Sequence, residues 1–355
     1  MNQIKKNFIY NVFYQIIRII IPIITVPYIS RILGAEGVGI YSYTYSIVDY
    51  FMLFSLLGIN NYGNRSIAKV RDNKKELSKV FYSIYCLQLI MTLIMLIIYI
   101  GYIILFNTQY KLIAIIQTLN LISVAFDINW FFFGIEKFKI TRSTLLKLLS
   151  LVLVFIFVKN SNDVWIYTLI LAGSTLISQI LLFPLLSKEV EKVKIKFKDI
   201  KKHIKPCLIL FIPVIAVSLY KVMDKIMLGA MSEISEVGFY EQSEKIVSIP
   251  LGIITALGTV MLPRISNLVA KKDDKKILEY IDKSVNFMMF LAFPICFGLI
   301  AISSDFIPLF LGESFIKSSY LMYFLSITII FISFANILRT QYLIPKEKDN
   351  IYIIS

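Results

Sequence analysis

Residues 80–106 read VFYSIYCLQLIMTLIMLIIYIGYIILF, a run of 27 residues without a charge. Crossing about 30 Å of hydrocarbon takes about 20 helical residues. This run is therefore long enough to span a bilayer and too long for an ordinary core helix. Nine further apolar blocks repeat the pattern, at about 8–30, 38–60, 112–133, 143–158, 165–186, 206–231, 238–262, 284–303 and 318–341. Hydrophobic residues make up 57% of the 355, and charged residues 17%; soluble proteins carry about 45–50% and about 25%. Mean hydropathy is +0.75. A soluble domain could not hide this much apolar surface, and disorder, collagen and coiled coil are excluded too. The expected fold is an all-α polytopic membrane protein. The first block is too long for a signal-peptide core and lacks a small-residue cleavage site, so it is expected to stay in the mature protein.

The charge pattern supports the spans. The net charge is +14, and the 37 lysines and arginines are unevenly placed. With the N-terminus inside, and Lys147 and Arg339 at the block edges counted as cytoplasmic, 29 fall in cytoplasmic segments, 4 in outer loops and 4 within spans. That asymmetry follows the positive-inside rule and predicts a multi-pass protein of the bacterial cytoplasmic membrane with both ends cytoplasmic. No basic–aromatic motif points to nucleic acid. Cys86, Cys207 and Cys296 lie in or beside apolar blocks without a CxxC partner and read as core thiols. His203 stands alone in a lysine-rich stretch, so no metal site and no cofactor are expected.

The chain carries an internal repeat. VGIYSYTYSIV (38–48) answers VGFYEQSEKIV (237–247), Arg31-Ile-Leu-Gly34 answers Ile226-Met-Leu-Gly229, and Ile21-Pro-Ile23 answers Ile212-Pro-Val214. Six spans separate the copies, so both run the same way across the membrane, as in parallel repeats about an axis along the membrane normal. The expected organisation is a six-helix bundle over 1–190, a basic cytoplasmic linker over 191–205, and four helices of six over 206–355. The tail Tyr342–Ser355 resembles the connector before the fifth block. The repeat thus implies that two closing helices, about 40–50 residues at about 20 per span, are absent. The linker region KEVEKVKIKFKDIKKHIK (188–205) reads as a solvated basic connector or an interfacial helix on the anionic inner leaflet, with some strand-like alternation.

Several motifs suggest a family. SRILGAEGVGIYSY (30–43), LLGINNYGNRSIAK (56–69), FGIEKFKITRS (133–143), DKIMLG (224–229), EVGFYEQSEKIV (236–247) and TVMLPRIS (259–266) are similar, in order and spacing, to the bacterial O-antigen and capsule polysaccharide flippases. These belong to the multidrug/oligosaccharidyl-lipid/polysaccharide exporter superfamily. The resemblance covers essentially the whole chain. It implies two six-helix bundles around a central cavity, and an undecaprenyl-diphosphate-linked oligosaccharide as substrate, moved from the inner to the outer leaflet for a partner polymerase of the same pathway.

Charges within the spans point to a polar pathway independently, since each costs about 2.5–3.5 kcal/mol at a helix centre. Arg18 lies near mid-membrane by count, Lys221 deep in the seventh block and Asp49 deep in the second. Arg18, Lys221 and Lys225 are candidates to hold the lipid diphosphate: guanidinium binds phosphate bidentately, and lysine acts as a point charge. The alternative for Lys221, Asp224 and Lys225, at i, i+3 and i+4 on one helix face, is a self-neutralising cluster. Asp49, Asp127 and Asp224 are candidates for coupling to H+ or Na+, with Asp49 as a counter-ion to Arg18 the other reading. Glu241, Glu244 and Lys245 share a face of the eighth block and read as gating or charge-pairing groups. Tyr41, Tyr43, Tyr45 and Tyr50 could touch sugars or simply pack. Pro22, Pro27 and Pro213 are expected to break apolar helices. A cation-coupled drug antiporter is the nearest alternative, but the deep cations favour anionic cargo. A polysaccharide polymerase would need larger outer loops with acid–base groups, so no enzyme is expected.

Overall fold

The computed structural model describes residues 3–106, 109–136, 140–271, 273–343 and 345–346, and the side chains within them except those of 3–19, 140–147, 253, 256–260, 262–263, 266–267 and 270. All regular structure among these residues is helical. In chain order the helices are α1 (Gln3–Leu56), α2 (Ile59–Val70), α3 (Lys74–Leu105), α4 (Lys111–Ala125), α5 (Asn129–Gly134), α6 (Ile140–Phe157), α7 (Val164–Ile180), α8 (Phe183–Leu186), α9 (Phe197–Lys221), α10 (Met223–Met231), α11 (Ile234–Ala270), α12 (Asp274–Leu311) and α13 (Ser318–Ile337). A π-helical turn, Leu338–Leu343, extends α13. Every one of the ten apolar blocks falls on helix. Seven helical runs among the described residues are long and apolar enough to cross a membrane. Large side chains such as Ile97, Leu105, Phe290, Phe324 and Phe331 stay exposed. In water that surface would drive aggregation; in a bilayer acyl chains cover it.

Several boundaries differ from the sequence reading. The expected loop between the first two blocks shrinks to one residue, Gly34, whose φ of 66° and ψ of −179° interrupt α1. Nothing crowds its Cα, so glycine is needed there for backbone conformation alone. The second block ends at Leu57 and Gly58, consecutive residues with φ of 45° and 74°. The chain then enters α2, which buries Ile59, Gly63 and Ile67 and exposes Asn61, Arg65 and Lys69. The fourth block is two helices, α4 and α5, parted at 126–128. Pro22, Pro27 and Pro213 do not break their helices: α1 and α9 run through them. A proline removes one N–H, which a flanking apolar helix tolerates. In 190–196 the alternating lysine stretch is neither helix nor strand, and the lysine-rich half from Phe197 onward belongs to α9.

The chain divides into two compact units, residues 1–21 with 36–237, and residues 22–35 with 238–355. The core of the first packs α2, α3, α5 and the start of α9 around Trp130, Phe81, Phe131, Ile67 and Cys207. Close approach depends on glycine: a Cβ on Gly63 would strike the Trp130 ring, and one on Gly134 would strike Ile67. Gln88, fully buried on α3, sustains the break between α4 and α5. Its Nε2 donates to the carbonyls of Val124 at 2.5 Å and Asp127 at 2.9 Å, and its Oε1 accepts from Trp130 Nε1 at 2.9 Å. Carbonyls freed by a helix break in hydrocarbon need such a donor. The basic connector is tied down by a Lys79–Asp199 ion pair at 3.1 Å and by Glu191 N donating to Ser78 Oγ at 3.0 Å.

The second unit packs through serines. Ser243 Oγ donates to the carbonyls of Phe239 and Ser318, Ser318 Oγ to that of Phe239, and Ser319 Oγ to that of Ser303. Small hydroxyl residues let α11, α12 and α13 approach closely while satisfying their own polar groups. A Cβ on Gly238 would collide with the Ala35 carbonyl. Arg31 Nη2 donates to the Leu309 carbonyl at 2.5 Å, beside the turn at Gly312.

Candidate functional site

The charged residues named from sequence divide among different settings. In the first unit, α9 ends at Lys221 and α10 begins at Met223; Val222 between them has φ −127° and ψ −36°. This break takes Lys221 out of register with Asp224 and Lys225, so the expected single helical face does not form. Lys221 is exposed at the end of α9, whereas Asp224 and Lys225 are half-buried. Asp224 Oδ1 accepts from the backbone N–H of Lys225 at 2.8 Å, within the first turn of α10. Asp49, half-buried on α1, feels the positive charge of Lys225. Tyr50, one residue on, donates from its hydroxyl to the Ser218 carbonyl at 3.3 Å, just before the α9 break. The geometry thus gathers Asp49, Tyr50, Asp224 and Lys225 where α1 meets the interrupted α9–α10 segment.

Other candidates stand elsewhere. The Arg18 side chain lies outside the described residues, as does the tail beyond Lys346. Asp127 serves the α4–α5 break: its Oδ1 accepts from the Asn129 backbone N–H at 3.1 Å and from Asn129 Nδ2 at 2.7 Å. Asn129 Nδ2 also reaches Gln179 Oε1 on α7 at 3.0 Å. This is an Asx turn that starts a short helix. In the second unit, Lys245 Nζ lies 2.9 Å from Glu241 Oε1 on α11, and Glu244 is half-buried beside them. His203 sits at the start of α9 with Nδ1 2.7 Å from the Tyr62 hydroxyl.

The first unit also holds a cavity of about 680 Å³ at the end where α3 stops, α4 starts and α10 passes into α11. Its walls include Glu36, Tyr43, Tyr102, Gln109, Tyr110 and Glu233. The Tyr43 ring lies against Gly229 so closely that a Cβ there would overlap it. Burial first, then the Glu36 carboxylate and the Tyr43 phenol, hold the Tyr110 hydroxyl above its ordinary pKa. Of the four sequence-named tyrosines only Tyr43 faces this cavity; Tyr41 stacks on Tyr45 and meets Tyr167 edge-on at 4.8 Å. Sequence reasoning missed the other five wall residues because they come from separate loops and helix ends. The one available signal was the concentration of tyrosine and glutamate where the spans end. No group of three or more metal-ligating side chains occurs among the described residues.

Residues 4–269 match the family model described as polysaccharide biosynthesis protein. The chain belongs to the polysaccharide biosynthesis protein family. Two proteins named as O-antigen transporters resemble it along nearly its whole length. It is 25% identical to the "Putative O-antigen transporter" of Escherichia coli K12, over 95% of this chain and 83% of that protein. The protein of the same name from Shigella dysenteriae is 26% identical over 98% of this chain and 88% of its own. A stretch covering 30% of the chain and 23% of the relative is 26% identical to the "Probable low-salt glycan biosynthesis flippase" of Haloferax volcanii. No solved structure matches. Family membership and the apolar helices together make this a multi-pass membrane protein of polysaccharide biosynthesis.

Proposed function

We propose that this protein flips an undecaprenyl-diphosphate-linked oligosaccharide from the inner to the outer leaflet of the bacterial cytoplasmic membrane, by alternating access of two helical halves joined through 191–205. The observation that carries the reading is the likeness to two proteins named as O-antigen transporters over at least 95% of the chain. The charged groups inside apolar helices support it, since a protein that only packed in lipid would have no use for them. In this reading Arg18, Lys221 and Lys225 draw the diphosphate, and Asp49, Asp127 or Asp224 carries a coupling proton or sodium ion. Pro22, Pro27 and Pro213 mark where helices bend. A polymerase working on the outer face receives the flipped unit.

Deleting the gene is expected to trap the lipid-linked intermediate on the inner leaflet and abolish surface polymer. In the full chain, Arg18→Ala and Lys221→Ala should lower transport without loss of membrane insertion. Wild-type polymer from both variants would overturn the diphosphate assignment, and unchanged polymer in the deletion strain would overturn the flippase reading itself.

A further inference from the structure

We infer that the cavity walled by Glu36, Tyr43, Tyr102, Gln109, Tyr110 and Glu233 is a saccharide subsite for neutral or amino sugars, separate from the groups proposed for the diphosphate. The inference rests on the flippase reading for the identity of the cargo. Its physical basis lies in the cavity. The volume of about 680 Å³ lies within the range of about 300–1,000 Å³ typical of small-ligand sites. Three phenol rings contribute to its walls. Aromatic faces carry negative charge density that attracts the C–H edge of a pyranose, and phenol hydroxyls can bond the sugar hydroxyls. Two carboxylates and one carboxamide add acceptors that can fix orientation.

The charge of the wall narrows the ligand. Glu36 and Glu233 are acidic, and none of the lining residues is basic. A diphosphate or a uronic acid entering here would meet like charge and lose its water without compensation. A neutral hexose or N-acetylhexosamine would not, and a free amino sugar would be drawn in. Gly229 contributes by its lack of a side chain: it lets the Tyr43 ring lie flat against α10 and keeps the cavity open. With the N-terminus inside, this end of the unit faces the cell exterior, so the subsite would hold the glycan after its carrier has crossed.

The test uses the full chain in lipid nanodiscs free of glycosidic detergent. Saturation-transfer NMR would be recorded with a neutral methyl hexoside, a methyl N-acetylhexosaminide and a methyl hexuronide. The first two should receive saturation and the uronide little. Tyr43→Ala should weaken the neutral signals about tenfold, the size expected for one lost ring contact. Glu36→Gln with Glu233→Gln should raise the uronide towards the neutral sugars. Tyr43→Phe, which keeps the ring, should hold most of the binding and guards against misfolding as the cause of loss. Equal saturation of all three probes, no saturation of any, or signals unchanged in the variants would overturn the subsite. Tyrosine-sensitised terbium luminescence lost in the glutamine pair, without glycoside binding, would overturn it in favour of a cation site. Complementation of the deletion strain by the wild-type chain separates the two readings: surface polymer restored without glycoside binding removes the subsite and leaves the flippase.

Discussion

Single side chains decide much of this protein's behaviour where they tie one helix to the backbone of another. Gln88 is the clearest case. It satisfies two carbonyls at the α4–α5 break and holds the Trp130 indole in the core. Gln88→Leu should destabilise the first unit by about 1–3 kcal/mol, the cost of leaving buried polar groups unpaired, read as a lower thermal transition in detergent or nanodiscs. Lys225 lies near enough to Asp49 for its charge to offset part of the effect of burial on that carboxylate. A double-mutant cycle with Lys225→Met and Asp49→Asn should give transport losses that are not additive; additive losses would separate the two groups. Gly229→Ala should displace the Tyr43 ring from α10 and impair glycoside binding while the protein still inserts. From sequence, the depth of Asp49 was readable but its nearness to Lys225 was not, since the two sit on helices far apart in the chain.

At the level of helices, the sequence reading located the apolar segments well and their ends poorly. Apolar length fixes where a span lies, but the residue at which a helix stops depends on local backbone geometry. Gly34 shows this: φ of 66° in place of a loop. Gly34→Ala should cost about 1–3 kcal/mol, the penalty for holding a side chain in a backbone region that is essentially reserved for glycine, measurable as a shifted unfolding midpoint. Val222 and the gap at 126–128 were invisible for another reason: no glycine or proline marks them, and Lys221, Asp224 and Asp127 read as charges within continuous apolar blocks. The start of α12 gives a pH-dependent test. Lys276, through its side chain and then its backbone N–H, holds the Asp273 carboxyl below the usual carboxylate range. A depressed acid stabilises the fold above its unfolded pKa of about 3.9 and loses that contribution as pH falls through its lower folded value. The amide protection factor at the first turn of α12, that is the exchange rate relative to the intrinsic rate at the same pH, should therefore be high at neutral pH and fall in acid, and Asp273→Asn should remove that fall.

For the whole molecule, the membrane-protein class was legible from composition and charge asymmetry alone, because the bilayer imposes length and polarity on every span. The cavity was not, since it is assembled from loops and helix ends that no periodicity connects. Orientation is open to a direct measurement. With Cys86, Cys207 and Cys296 replaced by alanine, Asn61→Cys should react with an impermeant thiol reagent only from the cytoplasm, and Gln109→Cys only from outside. Asn61→Cys reacting only from outside and Gln109→Cys only from the cytoplasm would invert the proposed topology, and reaction of both from one face would remove the crossing between them. The serine contacts of the second unit carry a different lesson. Ser243, Ser318 and Ser319 join their helices by hydroxyl-to-carbonyl bonds, which carry no net charge and demand little beyond small size. Over long divergence such a seam tolerates exchange among alanine, glycine, serine and threonine and rejects leucine. Helix spacing in this unit can therefore outlast most of the sequence identity that would reveal common descent.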